Sequence, residues 1–355
     1  MVKEKYAKVL ERYENFWERK SIGRPILNLT YPIAGATAYR SPVDLEEKFL
    51  VPEYSYNNFK HSVANRGYLA EGLPMCFTNF GPGCLSACLG GSYVLASNSI
   101  WFDQEQFIKD WEAPPEILFD EQSELWQKIL ETQALYAGDP DVHFSITDLG
   151  GIFDIVASLR GTEDLLYDLL DYPEEVKRFS GRVKEEWFKA FDRQVEIVGK
   201  VDQPYNNWMN IPSSKPWYPL QCDFAYMISP AHFEEFVLPD LAEQVSHMER
   251  SIYHLDGAGQ LNHLDYLLDI PGLTGIQWVP GAGNVPVLDE KWFDVYRKIQ
   301  DKKKNIVLHE VNCRNLPAIE RLVKTLDPTG VYLNSFCPNK DCAEEMFEKI
   351  TRWCE

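Results

Sequence analysis

Eight short apolar runs, separated by longer amphipathic stretches, constrain this chain more than any other feature. They are Ile26–Tyr31, Met75–Asn79, Val142–Thr147, Trp217–Cys222, Ser251–Leu255, Gly275–Val279, Asn305–His309 and Val331–Phe336. Runs this short, apolar throughout, read as strands of a parallel sheet covered on both faces. The stretches between them carry helix signals. Ser229-Pro230 opens a helix predicted over 229–250, with Ser229 as N-cap, and Pro317 opens another over 316–326. The segment 162–200 reads as two helices broken at Asp171-Tyr172-Pro173. Strand then helix, repeated eight times, predicts a (β/α)8 barrel (TIM barrel) with an N-terminal helical elaboration. An open doubly wound sheet is the competing architecture, but no Gly-x-Gly-x-x-Gly follows the first run. No linker, repeat or low-complexity stretch divides residues 1–355, so one domain is expected, with a helix over 1–23 packed outside the barrel. The looser stretches 42–73 and 101–141 are expected to form loops and helices over the barrel mouth.

Composition narrows the function. Lys and Arg number 35 against 54 Asp and Glu, a net charge of −19, and no basic stripe interrupts it. A nucleic-acid surface is therefore not expected. Lys302-Lys303-Lys304 reads as the solvated end of a helix. No apolar run approaches the roughly 18 residues that cross a bilayer. Met1 leads directly into a charged amphipathic helix, and the eight cysteines are scattered. A cytoplasmic protein with reduced thiols is the expectation.

In a barrel, chemistry gathers at the C-terminal ends of the strands. Those ends carry Tyr31, Asn79, Thr147 with Asp148, Cys222 with Asp223, His254 with Asp256, Gln277 with Trp278, His309 with Glu310, and Ser335 with Cys337. His254 and Asp256 form the sharpest pair, because residues two apart on a strand point the same way. Glycines 257 and 259 follow them and allow a sharp turn or close approach to a ligand. With Cys337 and Glu310 the pair makes a plausible zinc set, or His254 is hydrogen-bonded within the rim and Cys337 is inert. His309-Glu310 is a second candidate, as general base and the residue that orients it or as a plain ion pair. Cys313 and Cys342 look less useful. Asp148, ahead of Gly150-Gly151, either caps the next helix or precedes a helix start that binds an anion. Gly81-Pro82-Gly83 reads as a tight turn first and a ligand loop second.

Four of these segments carry a family resemblance. Ile228–Leu241 (ISPAHFEEFVLPDL) resembles the SP-x-x-F-x-E-F-x-x-P helix of the uroporphyrinogen decarboxylase superfamily, which also contains corrinoid-dependent methyltransferases. Asp148–Pro173 resembles that family's third β/α unit, Tyr253–Gly257 its His-x-Cys-Gly, and Ser335–Pro338 its late cysteine turn. The likeness runs from about residue 141 to the C-terminus. It implies a barrel, and for the methyltransferase branch a zinc ion on His254, the position of Asp256, and Cys337. Asp256 stands where that branch has a cysteine, and a carboxylate is a harder ligand than a thiolate. Either zinc sits in a His254/Asp256/Cys337 site completed by Glu310, or no metal binds and Asp256 is an acid or base.

The decarboxylase branch fits less well: after the first run the chain reads PIAGATAYR, without the family's Arg-Gln-x-Gly-Arg. The expected function is methyl transfer between a small molecule and a corrinoid on a partner protein. Glu310, Asp256 and His309 are the expected catalytic residues, and Tyr31, Asn79, Asp148, Asp223, Gln277 and Trp278 the pocket lining. The ten tryptophans and 18 tyrosines suit aromatic walls and a large core equally. A metal-independent hydrolase or lyase using Asp256 and Glu310, and a binder without catalysis, are the alternatives.

Overall fold

The computed structural model describes residues 6–102 and 105–355. Eleven strands are present among them: β1 Ile26–Pro32, β2 Arg66–Ala70, β3 Met75–Cys76, β4 Val94–Leu95, β5 Ile100–Trp101, β6 His143–Phe144, β7 Trp217–Gln221, β8 Arg250–Asp256, β9 Gly275–Val279, β10 Asn305–Leu308 and β11 Val331–Phe336. Every one of the eight apolar runs contains a strand. The chain is α/β, with seven strands hydrogen-bonded in the order β2-β1-β11-β10-β9-β8-β7. All pairs in that sheet are parallel except β1 with β2. β2 falls in the stretch 42–73 expected to hold loops and helices; that stretch also forms the helices Leu45–Leu50 and Pro52–Ala64. β3 pairs with β6 in a separate parallel ladder, and β4 with β5 in an antiparallel one. The ladder does not run unbroken around all eight expected strands.

The break beside β6 is filled by glutamine side chains. Gln203 accepts from the Phe144 N–H at 3.2 Å and donates to the Phe144 carbonyl at 3.1 Å. Gln133 donates to the Ser145 carbonyl at 3.2 Å, and Gln194 accepts from the Thr147 N–H at 3.3 Å. These primary amides carry the same donor and acceptor as the peptide, so they satisfy backbone groups that a neighbouring strand would otherwise take.

Helices form where expected. Ser229 caps the His232 N–H at 3.2 Å, and the helix continues to His247 with a π-turn over Phe233–Val237. Pro239, which lacks an N–H, follows that turn and accounts for the lost α-helical bond. The segment 162–200 divides into Thr162–Asp171 and Pro173–Gly199.

The N-terminal helix Ala7–Trp17 does not lie among the outer helices. Tyr13, Phe16 and Trp17 are buried against Ile26, Trp217, Ile252, Val307 and Tyr332, which share one face at or near the strand starts. Trp17 meets Trp217 edge-on at 4.8 Å and donates to the Pro212 carbonyl at 2.9 Å. Glu14 grips the Arg250 guanidinium at 2.7 and 3.1 Å, and Arg24 holds the buried Glu71 through two bonds. The helix thus seals the starts of the strands and leaves their far ends open.

Replacing Gln203 by Leu leaves the buried N–H and C=O of Phe144 without partners, and we expect a loss of about 2–4 kcal/mol in urea denaturation. A loss below about 0.5 kcal/mol would show that the glutamine bridge is dispensable.

Candidate functional site

Alternation along the strands sorts the expected residues. On β8, Ile252 faces the N-terminal helix, so His254 and Asp256 lie on the same inner face farther along. His254 Nδ1 lies 2.6 Å from Gln277 Oε1, its neighbour across the β8–β9 ladder. An amide oxygen only accepts, so Nδ1 donates to Gln277 and Nε2 is the ring nitrogen left to face Asp256. Nε2 lies 3.8 Å from the Asp256 carboxylate, and Trp208 packs edge-on against the imidazole at 5.0 Å. Gly257 turns the chain away directly after Asp256 at φ +85°. A Cβ there would stand 2.9 Å from the Tyr226 ring, so the glycine serves the turn and the packing of Tyr226.

The third member of the group is Asp223, just after β7. Donor atoms of Asp223, His254 and Asp256 all lie within 4.8 Å of one another. One nitrogen and two carboxylate oxygens suit a catalytic divalent metal that keeps an open position, and Gln277 is the outer partner that fixes the histidine. These residues fit a metal ion.

Two further aspartates stand behind them. Asp148 Oδ1 takes the Tyr218 hydroxyl at 2.9 Å, the Gly150 N–H at 2.9 Å and the Gln221 amide at 3.4 Å. It therefore does not cap the following helix, whose N-cap is Gly151. Burial pushes the Asp148 carboxyl up to about 6, against the Tyr218 and Gly150 hydrogen bonds that hold it down. Asp154 accepts from the backbone N–H of Asp223 at 3.0 Å and of Phe224 at 2.9 Å, and so fixes the turn that carries Asp223. Burial and then the Asp223 charge raise the Asp154 carboxyl. Asp223 opens onto a cavity, yet the surrounding protein still raises its carboxyl, with His254 pulling the other way.

That cavity, about 270 Å³, is bounded by Pro82 and Gly83, by Trp101 and Phe102 from the β4–β5 hairpin, and by Gly150, Asp154, Gln221, Asp223, Phe224 and Met227. The Gly81-Pro82-Gly83 turn borders it, while Asn79 bonds the Gly81 N–H. A Cβ on Gly150, at φ +90°, would sit 2.6 Å from the Gly83 backbone, so only glycine lets the two loops meet.

Other expected residues lie elsewhere. Cys337 is fully buried on the parity of Leu333, facing the outer helices, with Ser335 Oγ at 3.7 Å. Trp278 also points outward, packed on Trp292 at 4.9 Å; adjacent strand residues cannot both face inward. Tyr31 lies over Gly67 of β2. Glu310 is exposed at φ +56°, turned away by its left-handed backbone. His309 stays near the group, 5.7 Å from the Tyr332 ring; burial, with His254 nearby, pushes its imidazole down to about 4 and keeps it neutral. Asp154, Gln221, Trp101, Phe102 and Met227 were not singled out from the sequence. The acid three residues after the Gly151 N-cap was a usable signal for Asp154 alone.

A carboxyl held above its ordinary value binds its proton more tightly in the folded state. The stability from Asp148 is therefore full below about pH 4 and is lost as pH rises toward about 6. A rise of about two pH units corresponds to about 3 kcal/mol. Asp148→Asn should remove that much of the fall between pH 4 and 7 in paired denaturation curves; parallel curves for the two proteins would contradict the assignment.

No family model matches the chain, and no curated protein matches it. Among solved structures, a methyltransferase from Methanosarcina mazei has a similar fold, with a TM-score of 0.61 and 12% identity over 98% of this chain and 99% of that one.

Proposed function

We propose that this chain is a small-molecule methyltransferase that holds a divalent metal ion on Asp223, His254 and Asp256. One observation carries the reading: a His/Asp/Asp donor set within 4.8 Å, beside an open cavity, on a fold similar to that of a methyltransferase. Zinc suits this set, and the sequence resemblance points to a corrinoid on a partner protein as the other methyl carrier. The reading takes the strand arrangement as a (β/α)8 barrel whose ring is bridged beside β6 by side chains.

When bound, the ion would supply Lewis acidity toward a lone pair of the substrate or acceptor. Gln277 fixes the His254 tautomer and ring. Trp208 limits water at the imidazole edge. Asp154 holds the backbone that presents Asp223. Asp148, with its carboxyl raised to about 6, holds or releases a proton one side chain behind the cavity and there fixes the Gln221 amide of the wall. Methyl transfer breaks one bond to carbon and makes another, the leaving atom keeping the electron pair. A second reading rests on Asp154, whose carboxyl borders the cavity and is raised by burial: acid–base hydrolysis or lyase chemistry without a metal, which activity surviving full chelation would favour.

Cys337 takes no part in this site, so Cys337→Ser should keep the metal while Asp223→Ala and His254→Ala lose it. Elemental analysis of zinc-loaded protein reads this directly. Gln277→Leu should weaken zinc affinity and methyl-transfer activity about 10–100-fold. Wild-type protein that stays metal-free after loading, or metal that disappears with Cys337, sinks the reading.

A further inference from the structure

We propose that the cavity beside the ligand group takes a small methylated cation, a quaternary ammonium or sulfonium compound, between Asp223 and the aromatic wall of Trp101, Phe102 and Phe224. This deepens the methyl-transfer reading and rests on it only for the fate of the methyl group.

Three independent features point to a cation. The first is charge without a counter-ion. Asp154 and Asp223 line the cavity, and none of its described lining residues is a lysine or arginine. An anionic substrate would meet two carboxylates with nothing to pair it. The second is the wall. Trp101 is 43% exposed and Met227 47% exposed, on a chain whose other large apolar groups are mostly buried. An open indole face and a thioether beside a carboxylate suit methyl groups that carry spread positive charge. Of the polar side chains in the wall, the Gln221 amide is turned to Asp148 and the Ser158 hydroxyl to the Phe102 carbonyl, which leaves the Thr162 hydroxyl beside the two carboxylates.

The third feature stands behind the wall. Asp148 is only 7% exposed, and its Oδ1 takes three hydrogen bonds. It lies one side chain behind the cavity, through Gln221, and its charge is felt at His254 and Asp223. A buried carboxylate next to two more acids is relieved by positive charge entering the space they share.

The test compares choline with 3,3-dimethylbutan-1-ol, which has the same shape with carbon in place of the charged nitrogen. Both are titrated into the full-length protein by calorimetry and tryptophan fluorescence, in metal-free and zinc-loaded samples. Choline should bind at least about tenfold more tightly than the alcohol. In metal-free protein, Asp223→Asn should cut the preference about tenfold, and Trp101→Ala should weaken choline and remove its fluorescence response. Equal affinity for the two compounds, or binding of neither, overturns the inference, and neither result needs a variant to fold. Zinc bound without a choline preference sinks this inference alone; a choline preference without zinc sinks the metal reading alone.

Discussion

The inner face of the sheet changes character along each strand, and the rest of the molecule follows from that gradient. Ile26, Trp217, Ile252, Val307 and Tyr332 make the strand starts apolar, and they must be covered. The helix Ala7–Trp17 covers them. Two residues farther on, the same face carries His254 and His309, and then Asp256. A face apolar at one end and ionisable at the other can be closed at only one of them. The polar end is left for a ligand.

The distribution of charge agrees. Arg24 with Glu71 and Arg250 with Glu14 form ion pairs at the sealed end, and Arg160 with Asp168 forms one on the outer helices. Guanidinium groups are spent on structure, where their forked geometry matches a carboxylate. At the open end the aspartates face one another around His254 with no such partner in the cavity wall. Uncompensated carboxylates at close range are costly to hold, and a metal ion, a cationic ligand or a captured proton each lowers that cost. The fold keeps two of them there because their carboxylates accept other bonds: Asp148 from Tyr218 and Gly150, Asp154 from the backbone of Asp223 and Phe224.

Period-two alternation made part of this site legible beforehand. His254 with Asp256 follows from spacing, and Asp223, Gln277 and Asp148 from their places at strand ends. The same rule, applied strictly, separates Gln277 from Trp278, since neighbours on a strand face opposite ways. Cys337 shares the parity of Leu333 and so joins the outer layer, a point the sequence leaves open until one inner residue of that strand is known. Glu310 was out of reach for a different reason, a left-handed backbone that nothing in His-Glu-Val announces. The antiparallel β2 was hidden because Arg66–Ala70 is short and half-buried.

Local rules therefore determined the α/β class, the eight apolar strands, the cap at Ser229, the helix opening at Pro317 and the His254/Asp256 pair, because each depends on residues within a few positions of one another. Tertiary structure alone decided the cavity. Trp101, Gly83, Asp154 and Asp223 come from four separate segments of the chain, and the approach of Gly83 to Gly150, near Asp154, spans 67 positions. It also decided that glutamines would stand in for a missing strand beside β6. Such groups meet only when the chain closes on itself, so no window of sequence contains the reason they are neighbours.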